Sequence, residues 1–166
     1  IKADNGSYVL ADNFDKTDQS ANFLYASKIL KNSSVNVPEV LAFSEDLRFL
    51  LLQDLGDKSL DTDNEYKDQK ILEMALEQLS KIYFSDQDVL KSVTKKSLLL
   101  QTKSFMDFCR EKKCSHDEIK SLENLRNNLV SNLLNQQFIP SHNDFERRNL
   151  MMFEGKLFVI DFQDLN

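Results

Sequence analysis

One stretch near the end of the sequence, FIPSHNDFERRNLMMFEGKLFVIDFQD (residues 138–164), constrains the fold more than any other. It contains two apolar runs with strand character, residues 150–153 and 157–160, which are joined by a Glu-Gly-Lys turn. Such a pair predicts a β-hairpin, and a hairpin brings its two ends together. The polar loop 142–149, which precedes the first run, should therefore lie close to Asp161, which follows the second.

The side chains predicted to meet at this end of the hairpin are oxygen donors: Asp144, Asn149 and Asp161. Carboxylate and amide oxygens suit Mg²⁺, which usually keeps coordination positions for water and substrate phosphates. The order of these residues, His-x-Asp, then Asn, then Asp after a hairpin, is that of kinase-type phosphoryl transfer. In that arrangement Asn149 and Asp161 bind the metal, and Asp144 orients a substrate hydroxyl and accepts its proton. The alternative is a hairpin whose Asp and Asn residues only stabilise turns.

The loop HNDFERRN and the segment IDFQD resemble the catalytic loop and the metal-binding segment of the aminoglycoside phosphotransferase/choline kinase family. Within that family, the sequences of these two segments are similar to those of bacterial cell-wall sugar kinases, which phosphorylate the anomeric position of N-acetylmuramate and N-acetylglucosamine. The resemblance implies ATP and Mg²⁺ as cofactors, a sugar as the acceptor, and a place in cell-wall recycling. It also implies that Asp144 is the base and that His142 braces the loop.

The two arginines of the loop, Arg147 and Arg148, lie between the proposed base and the metal-binding Asn149. Either could neutralise charge on the transferred phosphate or contact an acidic substrate. An ion pair with a neighbouring carboxylate is the alternative. No role follows from the sequence for Glu146.

The same resemblance implies an α+β, protein-kinase-like fold with two lobes. Residues 1–52 are expected to form part of a β-rich N-terminal lobe with one helix, and residues 53–57 the hinge. Residues 58–166 are expected to form part of a mainly helical C-terminal lobe, with the catalytic loop at 142–149 and the metal-binding segment at 160–164.

The expected hinge, QDLGD, follows an apolar strand, and Gly56 allows a sharp turn. By resemblance, the backbone of Gln53, Asp54 and Leu55 contacts the adenine. The alternative is a strand that ends in a turn.

Hydrophobic spacing predicts the other elements. The strands expected before the hinge are a hairpin that turns at Asp4-Asn5-Gly6 into residues 8–11, and residues 40–43 and 48–52. The expected helices are 15–32, 70–83, 98–110 and 115–136. Thr17 or Asp18 is expected to cap the first, and a Ser115/Glu118 capping box to begin the last. The apolar face expected for helix 70–83 is Ile71, Leu72, Ala75, Leu76, Leu79 and Ile82. The apolar face expected for helix 115–136 is Ile119, Leu122, Leu125, Leu129, Leu133 and Leu134.

Two positions depart from the kinase pattern, in which a strand Lys pairs with a helix Glu. The Lys position falls near Ala11 or Asp12 and the Glu position near Phe23, so neither charge is present. Coupled partners are expected to be lost together, because an unpaired buried charge is costly. Two interpretations stay open: a kinase subgroup that works without the pair, and a pseudokinase that binds nucleotide or a partner without turnover.

Composition excludes other classes of protein. A net charge of −6 excludes a nucleic-acid-binding surface, and no apolar run reaches the length that spans a membrane. Cys109 and Cys114 are expected to be free thiols, which fits the cytoplasm. The partner is expected to be a small molecule, and no oligomeric state follows.

The chain is expected to be truncated at both ends. It begins with Ile and has no Gly-rich loop before its first strand. In the resembled family, further helices follow the metal-binding segment and form the acceptor pocket. The acceptor therefore stays open among amino sugars, aminoglycosides and choline.

Overall fold

The computed structural model describes residues 1–3, 6–61, 68–85 and 93–165. These residues combine short antiparallel strands with α-helices, so the predicted α+β class is confirmed. They form two compact units, one within Ile1–Leu90 and Pro140–Asn166 and the other within Lys91–Ile139. The predicted lobe boundary at residues 53–57 falls inside the first unit and stays a prediction. No helix in the described ranges is long and apolar enough to cross a membrane.

The first unit opens with an antiparallel sheet in the order β1-β2-β4-β3. Its strands are β1 (Lys2–Ala3), β2 (Gly6–Asp12), β3 (Val40–Phe43) and β4 (Phe49–Gln53). The predicted first hairpin and the two later strands are confirmed, although the predicted turn residues Asp4 and Asn5 lie outside the described residues.

Helix α1 (Thr17–Asn32) connects β2 to β3 and buries Ala26, Ile29 and Leu30. The predicted caps are wrong, because the N-cap residue is Lys16 and no side chain caps the helix. The chain enters the helix from a turn in which the Lys16 N–H donates to the Asn13 carbonyl at 2.9 Å. Thr17 and Asp18 therefore already lie in the first helical turn.

The predicted second hairpin is confirmed by β5 (Leu150–Phe153) and β6 (Lys156–Val159). The turn between them has positive φ at Glu154 (48°) and at Gly155 (74°), and glycine adopts this left-handed conformation without strain. Segment 58–60 runs along β5, where the Met152 N–H donates to the Lys58 carbonyl at 3.0 Å.

The hairpin packs against α1 and α2 (Gln69–Tyr83) in one hydrophobic core. Asn36, after α1, connects the three elements: its carbonyl accepts from Val159 N–H at 2.8 Å, and its Nδ2 donates to the Leu157 carbonyl at 3.0 Å. The Asn36 N–H donates to the Gln78 side chain of α2 at 2.8 Å. These hydrogen bonds fix the hairpin that carries the predicted site.

The predicted apolar face of α2 is only partly right. Ile71 and Ile82 are buried, but Leu72, Leu76 and Leu79 are exposed, and Gln78 is buried in their place. Gln78 enters the core because its amide oxygen accepts the hydrogen bond from Asn36, which hydrophobic spacing cannot reveal.

We expect Gln78→Leu to lower the free energy of unfolding by about 1–3 kcal/mol, because it leaves the Asn36 N–H without its acceptor. Urea denaturation of the full-length protein measures this change. Gln69→Leu is the matched control, since Gln69 lies on the exposed surface of the same helix and should change stability by less than about 0.5 kcal/mol. Equal effects of the two variants would contradict the prediction.

The second unit contains α3 (Lys95–Gln101), α4 (Lys103–Glu111) and α5 (His116–Leu134). The predicted single helix 98–110 is wrong, because the chain breaks at Thr102. The Leu99 carbonyl, which would accept from Lys103 in a continuous helix, accepts instead from the Arg126 guanidinium and from Thr102 Oγ1.

The predicted capping box of α5 is confirmed, with Ser115 and Glu118 each bonding the other's backbone N–H. Its predicted apolar face is partly wrong, because Val130 is the buried residue. Leu125, Leu129 and Leu133 instead line an open groove and stay 41–55% exposed.

Candidate functional site

The loop before β5 is held in place by its own backbone and by the segment after β6. Asn143 has a positive φ of 64° and donates from Nδ2 to the Asp164 carbonyl at 2.5 Å. The Glu146 N–H donates to the Asp144 carbonyl at 3.0 Å, and the Asn149 N–H donates to the Glu146 carbonyl at 2.9 Å. A short 3-10 turn, Arg147–Asn149, then leads into β5. The predicted catalytic loop is therefore joined to the predicted metal-binding segment.

His142 is buried beneath this loop, with only 1% of its surface exposed. Its Nε2 lies 2.9 Å from the Ile160 carbonyl, and its Nδ1 accepts from the Asp144 N–H at 3.3 Å. A ring nitrogen that accepts from a backbone N–H leaves the other nitrogen to donate, so this arrangement pairs Nε2 with the Ile160 carbonyl. Both nitrogens are occupied by backbone groups on the two sides of the site, a geometry that suits the predicted bracing role.

Asp144 has one carboxylate oxygen engaged by two donors. Its Oδ2 accepts from Asn149 Nδ2 at 3.0 Å and from Arg148 Nη2 at 3.1 Å. The guanidinium of Arg148 is the main cause that lowers the pKa of Asp144 below its usual value, and Asn149 contributes in the same direction. The carboxylate is therefore ionised at neutral pH. Because Oδ2 is held, Oδ1 is the oxygen suited to accept a hydrogen bond from a substrate.

Asn149 lies opposite Ile160 at the end of the hairpin, where the Ile160 N–H donates to the Asn149 carbonyl at 3.0 Å, and Asp161 is the next residue. Asn149 directs its amide nitrogen to Asp144, so its amide oxygen is the atom that could bind a cation. Asp161 has a positive φ of 61° and is exposed, and its Oδ1 accepts from Gln163 Nε2 at 2.7 Å.

This pair fits Mg²⁺ by the chemistry of its donors, since both offer oxygen. Within the described ranges, no three His, Cys, Asp or Glu side chains are grouped to hold a metal. A site of one carboxylate and one amide oxygen suits an ion whose other ligands are phosphate oxygens and water. It does not suit a permanently bound structural ion.

The expected adenine-binding residues follow β4 directly. The Gln53 N–H donates to the Glu39 carbonyl at 2.9 Å, so that donor is used inside the fold. Asp54 Oδ1 accepts from the Gly56 N–H at 2.8 Å, Gly56 has a φ of 74°, and Leu55 is buried. The segment forms a tight turn, and contact with adenine stays a prediction.

The two positions that depart from the kinase pattern make other contacts. Asp12 forms a two-point ion pair with Arg48, at 2.8 and 2.9 Å, and the Arg48 guanidinium lies 4.6 Å from the centres of the Phe14 and Phe49 rings. Phe23 stacks on Phe162, with ring centres 4.6 Å apart. Helix α1 therefore contacts the predicted metal-binding segment through aromatic rings.

The sequence predicted no role for four residues that contact other residues of the site: Asn143, Glu146, Phe162 and Gln163. Phe162 is fully buried, Glu146 forms an ion pair with Arg148 of the loop, and Asn143 and Gln163 donate hydrogen bonds to residues of the segment after β6. Asn143 carried the one available signal, because Asn is enriched at positive φ. The contact of Phe162 with Phe23 is between residues far apart in sequence, whereas those of Glu146 and Gln163 are with residues two positions away.

Sequence comparison matches residues 1–166 to the model of the phosphotransferase enzyme family. The N-acetylmuramate/N-acetylglucosamine kinase of Neisseria meningitidis serogroup B is 29% identical over 140 residues, 78% of this chain and 42% of that protein. The enzyme of the same name from Pseudomonas aeruginosa is 29% identical over 150 residues, 86% of this chain and 44% of that protein. The chain thus spans less than half the length of either relative.

Among solved structures, ADP-bound aminoglycoside phosphotransferase APH(2″)-Ib superposes with a TM-score of 0.67 at 22% identity, covering 96% of this chain and 60% of that chain. The streptomycin–ATP complex of APH(2″)-IIa gives a TM-score of 0.65 with the same coverage. These matches confirm the predicted kinase-like fold.

Proposed function

We propose that this chain, which belongs to the phosphotransferase enzyme family, carries the base and metal-binding residues of a kinase that transfers the γ-phosphoryl group of ATP to a sugar hydroxyl. The observation that carries the proposal is the state of Asp144, whose Oδ2 is held by Asn149 and Arg148 while the carboxylate stays ionised. Fixing one oxygen orients the other, as a base that must meet one hydroxyl requires.

In this mechanism the acceptor hydroxyl donates a hydrogen bond to Asp144 Oδ1, and its proton passes to that oxygen as the hydroxyl oxygen bonds the γ-phosphorus and the bond to ADP breaks. Asn149 and Asp161 would hold Mg²⁺, which would neutralise charge on the nucleotide phosphates. Arg148 is placed to stabilise negative charge near the base. His142 is excluded as the base, because backbone groups occupy both of its ring nitrogens.

For the acceptor, we propose the anomeric hydroxyl of N-acetylmuramate or N-acetylglucosamine. Support comes from the names of the two relatives, each 29% identical to this chain. The proposed setting is cell-wall recycling in the cytoplasm, where ATP is available. We also propose that adenine contacts Gln53, Asp54 and Leu55 through backbone groups other than the Gln53 N–H, which donates to Glu39.

A second candidate is a pseudokinase that binds nucleotide without transferring phosphate. The observation in its favour concerns the two positions where kinases have the Lys–Glu pair. Asp12 is paired with Arg48 and Phe23 packs on Phe162, so neither Asp12 nor Phe23 replaces a member of that pair. The ionised and oriented Asp144 favours the enzyme.

The test measures ATP consumption by the full-length protein with Mg²⁺ and separately with N-acetylmuramate, N-acetylglucosamine, choline and an aminoglycoside. We expect turnover with the two amino sugars, and none when Asp144→Asn replaces the natural protein. Turnover with choline or the aminoglycoside alone would keep the mechanism and refute the acceptor. Binding of ATP without turnover on any acceptor would favour the pseudokinase.

A further inference from the structure

Glu146 lies in the catalytic loop two residues after Asp144, and we propose that it is a positioning residue that holds the Arg148 guanidinium against Asp144. The inference rests on the proposed function, because its consequence is a faster phosphoryl transfer. It assigns a role to a side chain that neither binds metal nor accepts the substrate proton.

The contacts that carry this inference converge on one atom. Arg148 Nη2 lies 2.5 Å from Glu146 Oε1 and 3.1 Å from Asp144 Oδ2. The shorter contact is therefore with Glu146, and the guanidinium bridges the two carboxylates. Arg148 Nη2 donates a hydrogen bond to Asp144 Oδ2, and its contact with Glu146 is an ion pair.

The backbone keeps Glu146 in the right place for this bridge. Its N–H donates to the Asp144 carbonyl at 3.0 Å, and its carbonyl accepts from the Asn149 N–H at 2.9 Å. Glu146 is thus fixed between the proposed base and the proposed metal ligand. The turn that follows brings Arg148 back beside it.

Arg148 needs such an anchor because its side chain is 64% exposed. A single exposed ion pair holds a long side chain weakly, since the attraction hardly exceeds the cost of ordering it. The guanidinium also borders an open cavity of about 360 Å³ that is lined by Asp61, Glu146, Arg147 and Arg148. Without Glu146, Arg148 would have room to turn away from Asp144, and Oδ2 would lose one of its two donors.

Steady-state kinetics of the full-length protein tests the role. We expect Glu146→Gln to lower kcat about 10-fold while KM for ATP changes less than about two-fold, because orientation and not binding is impaired. Glu45→Gln is the charge-matched control, since Glu45 is exposed in the turn between β3 and β4. Glu146→Asp should recover part of the loss, because it restores the charge on a shorter side chain.

A double-mutant cycle decides whether Glu146 acts through Arg148. If it does, Glu146→Gln combined with Arg148→Ala will be no slower than Arg148→Ala alone. Losses that multiply, or a Glu146→Gln variant as fast as Glu45→Gln, would overturn the inference.

A readout without turnover separates this inference from the proposed function. In ¹⁵N NMR, we expect slow rotation of the Arg148 guanidinium in the natural protein and fast rotation in Glu146→Gln. Equal rotation in both would overturn the positioning role even if the enzyme is active. A natural protein without turnover on any acceptor would overturn the proposed function, and with it the kinetic consequence of Glu146.

Discussion

Asp144→Asn should lower kcat by about 10²–10⁴-fold, the range expected when a general base is removed. Asn has the size of Asp but lacks its charge. Oδ2 of Asp144 accepts from Asn149 and Arg148, so the amide oxygen of the variant will occupy that position. The amide nitrogen will then replace Oδ1, which puts a donor where the acceptor hydroxyl needs an acceptor.

The affinity for Mg·ATP should stay within about two-fold in this variant, because Asp144 is not one of the proposed metal ligands. Calorimetry measures that affinity, and single-turnover kinetics measures the chemical step. Asp15→Asn serves as the control, since Asp15 is an exposed carboxylate in the turn before α1. If Asp144→Asn keeps the natural kcat, Asp144 is not the base.

The sequence allowed the hairpin and its loop to be predicted because their signals are local. Two apolar runs joined by a Gly-containing turn specify the pairing of β5 with β6, and the pairing places Asn149 opposite Ile160, the residue before Asp161. The Ser115/Glu118 capping box has the same property, since it is contained in four residues.

The errors arose where a distant residue decides the outcome. Gln78 is buried because Asn36, 42 residues earlier, needs its oxygen. The helix predicted at 98–110 breaks because Arg126 takes the Leu99 carbonyl. The hydrophobic pattern of a single segment contains neither Asn36 nor Arg126. It therefore predicted that Leu76 is buried and that helix 98–110 is continuous.

The contact between Phe23 and Phe162 has the same origin, and it changes the meaning of the missing Lys–Glu pair. In sequence, the absence of both charges leaves open a kinase subgroup that works without the pair and a pseudokinase. In the fold, Phe23 of α1 stacks on Phe162, the residue next to Asp161. In place of a charged pair, α1 therefore has a direct aromatic contact with the predicted metal-binding segment.

The Asp161 variants have the second large expected effect. Asp161→Asn should raise the Mg²⁺ concentration needed for half-maximal activity by at least about 10-fold, because a neutral amide is a weaker ligand for a hard cation than a carboxylate. Asp164→Asn is the matched control, because it removes a carboxylate three residues further along the chain. Asp164 accepts from Asn143 through its backbone carbonyl, which this substitution keeps. We expect that variant to keep the natural Mg²⁺ dependence.

Binding of Mn²⁺ in the presence of ATP, followed by electron paramagnetic resonance, tests the same assignment without turnover. The signal of free Mn²⁺ should persist to higher protein concentration in Asp161→Asn than in Asp164→Asn. Because Gln163 donates to Asp161 Oδ1, Gln163→Leu should give an intermediate loss if that bond orients the carboxylate. Equal Mn²⁺ affinity in the Asp161 and Asp164 variants would show that Asp161 is not a metal ligand. A loss of Mn²⁺ affinity that is smallest in Asp164→Asn, larger in Gln163→Leu and largest in Asp161→Asn requires that the cation bind at the end of the hairpin.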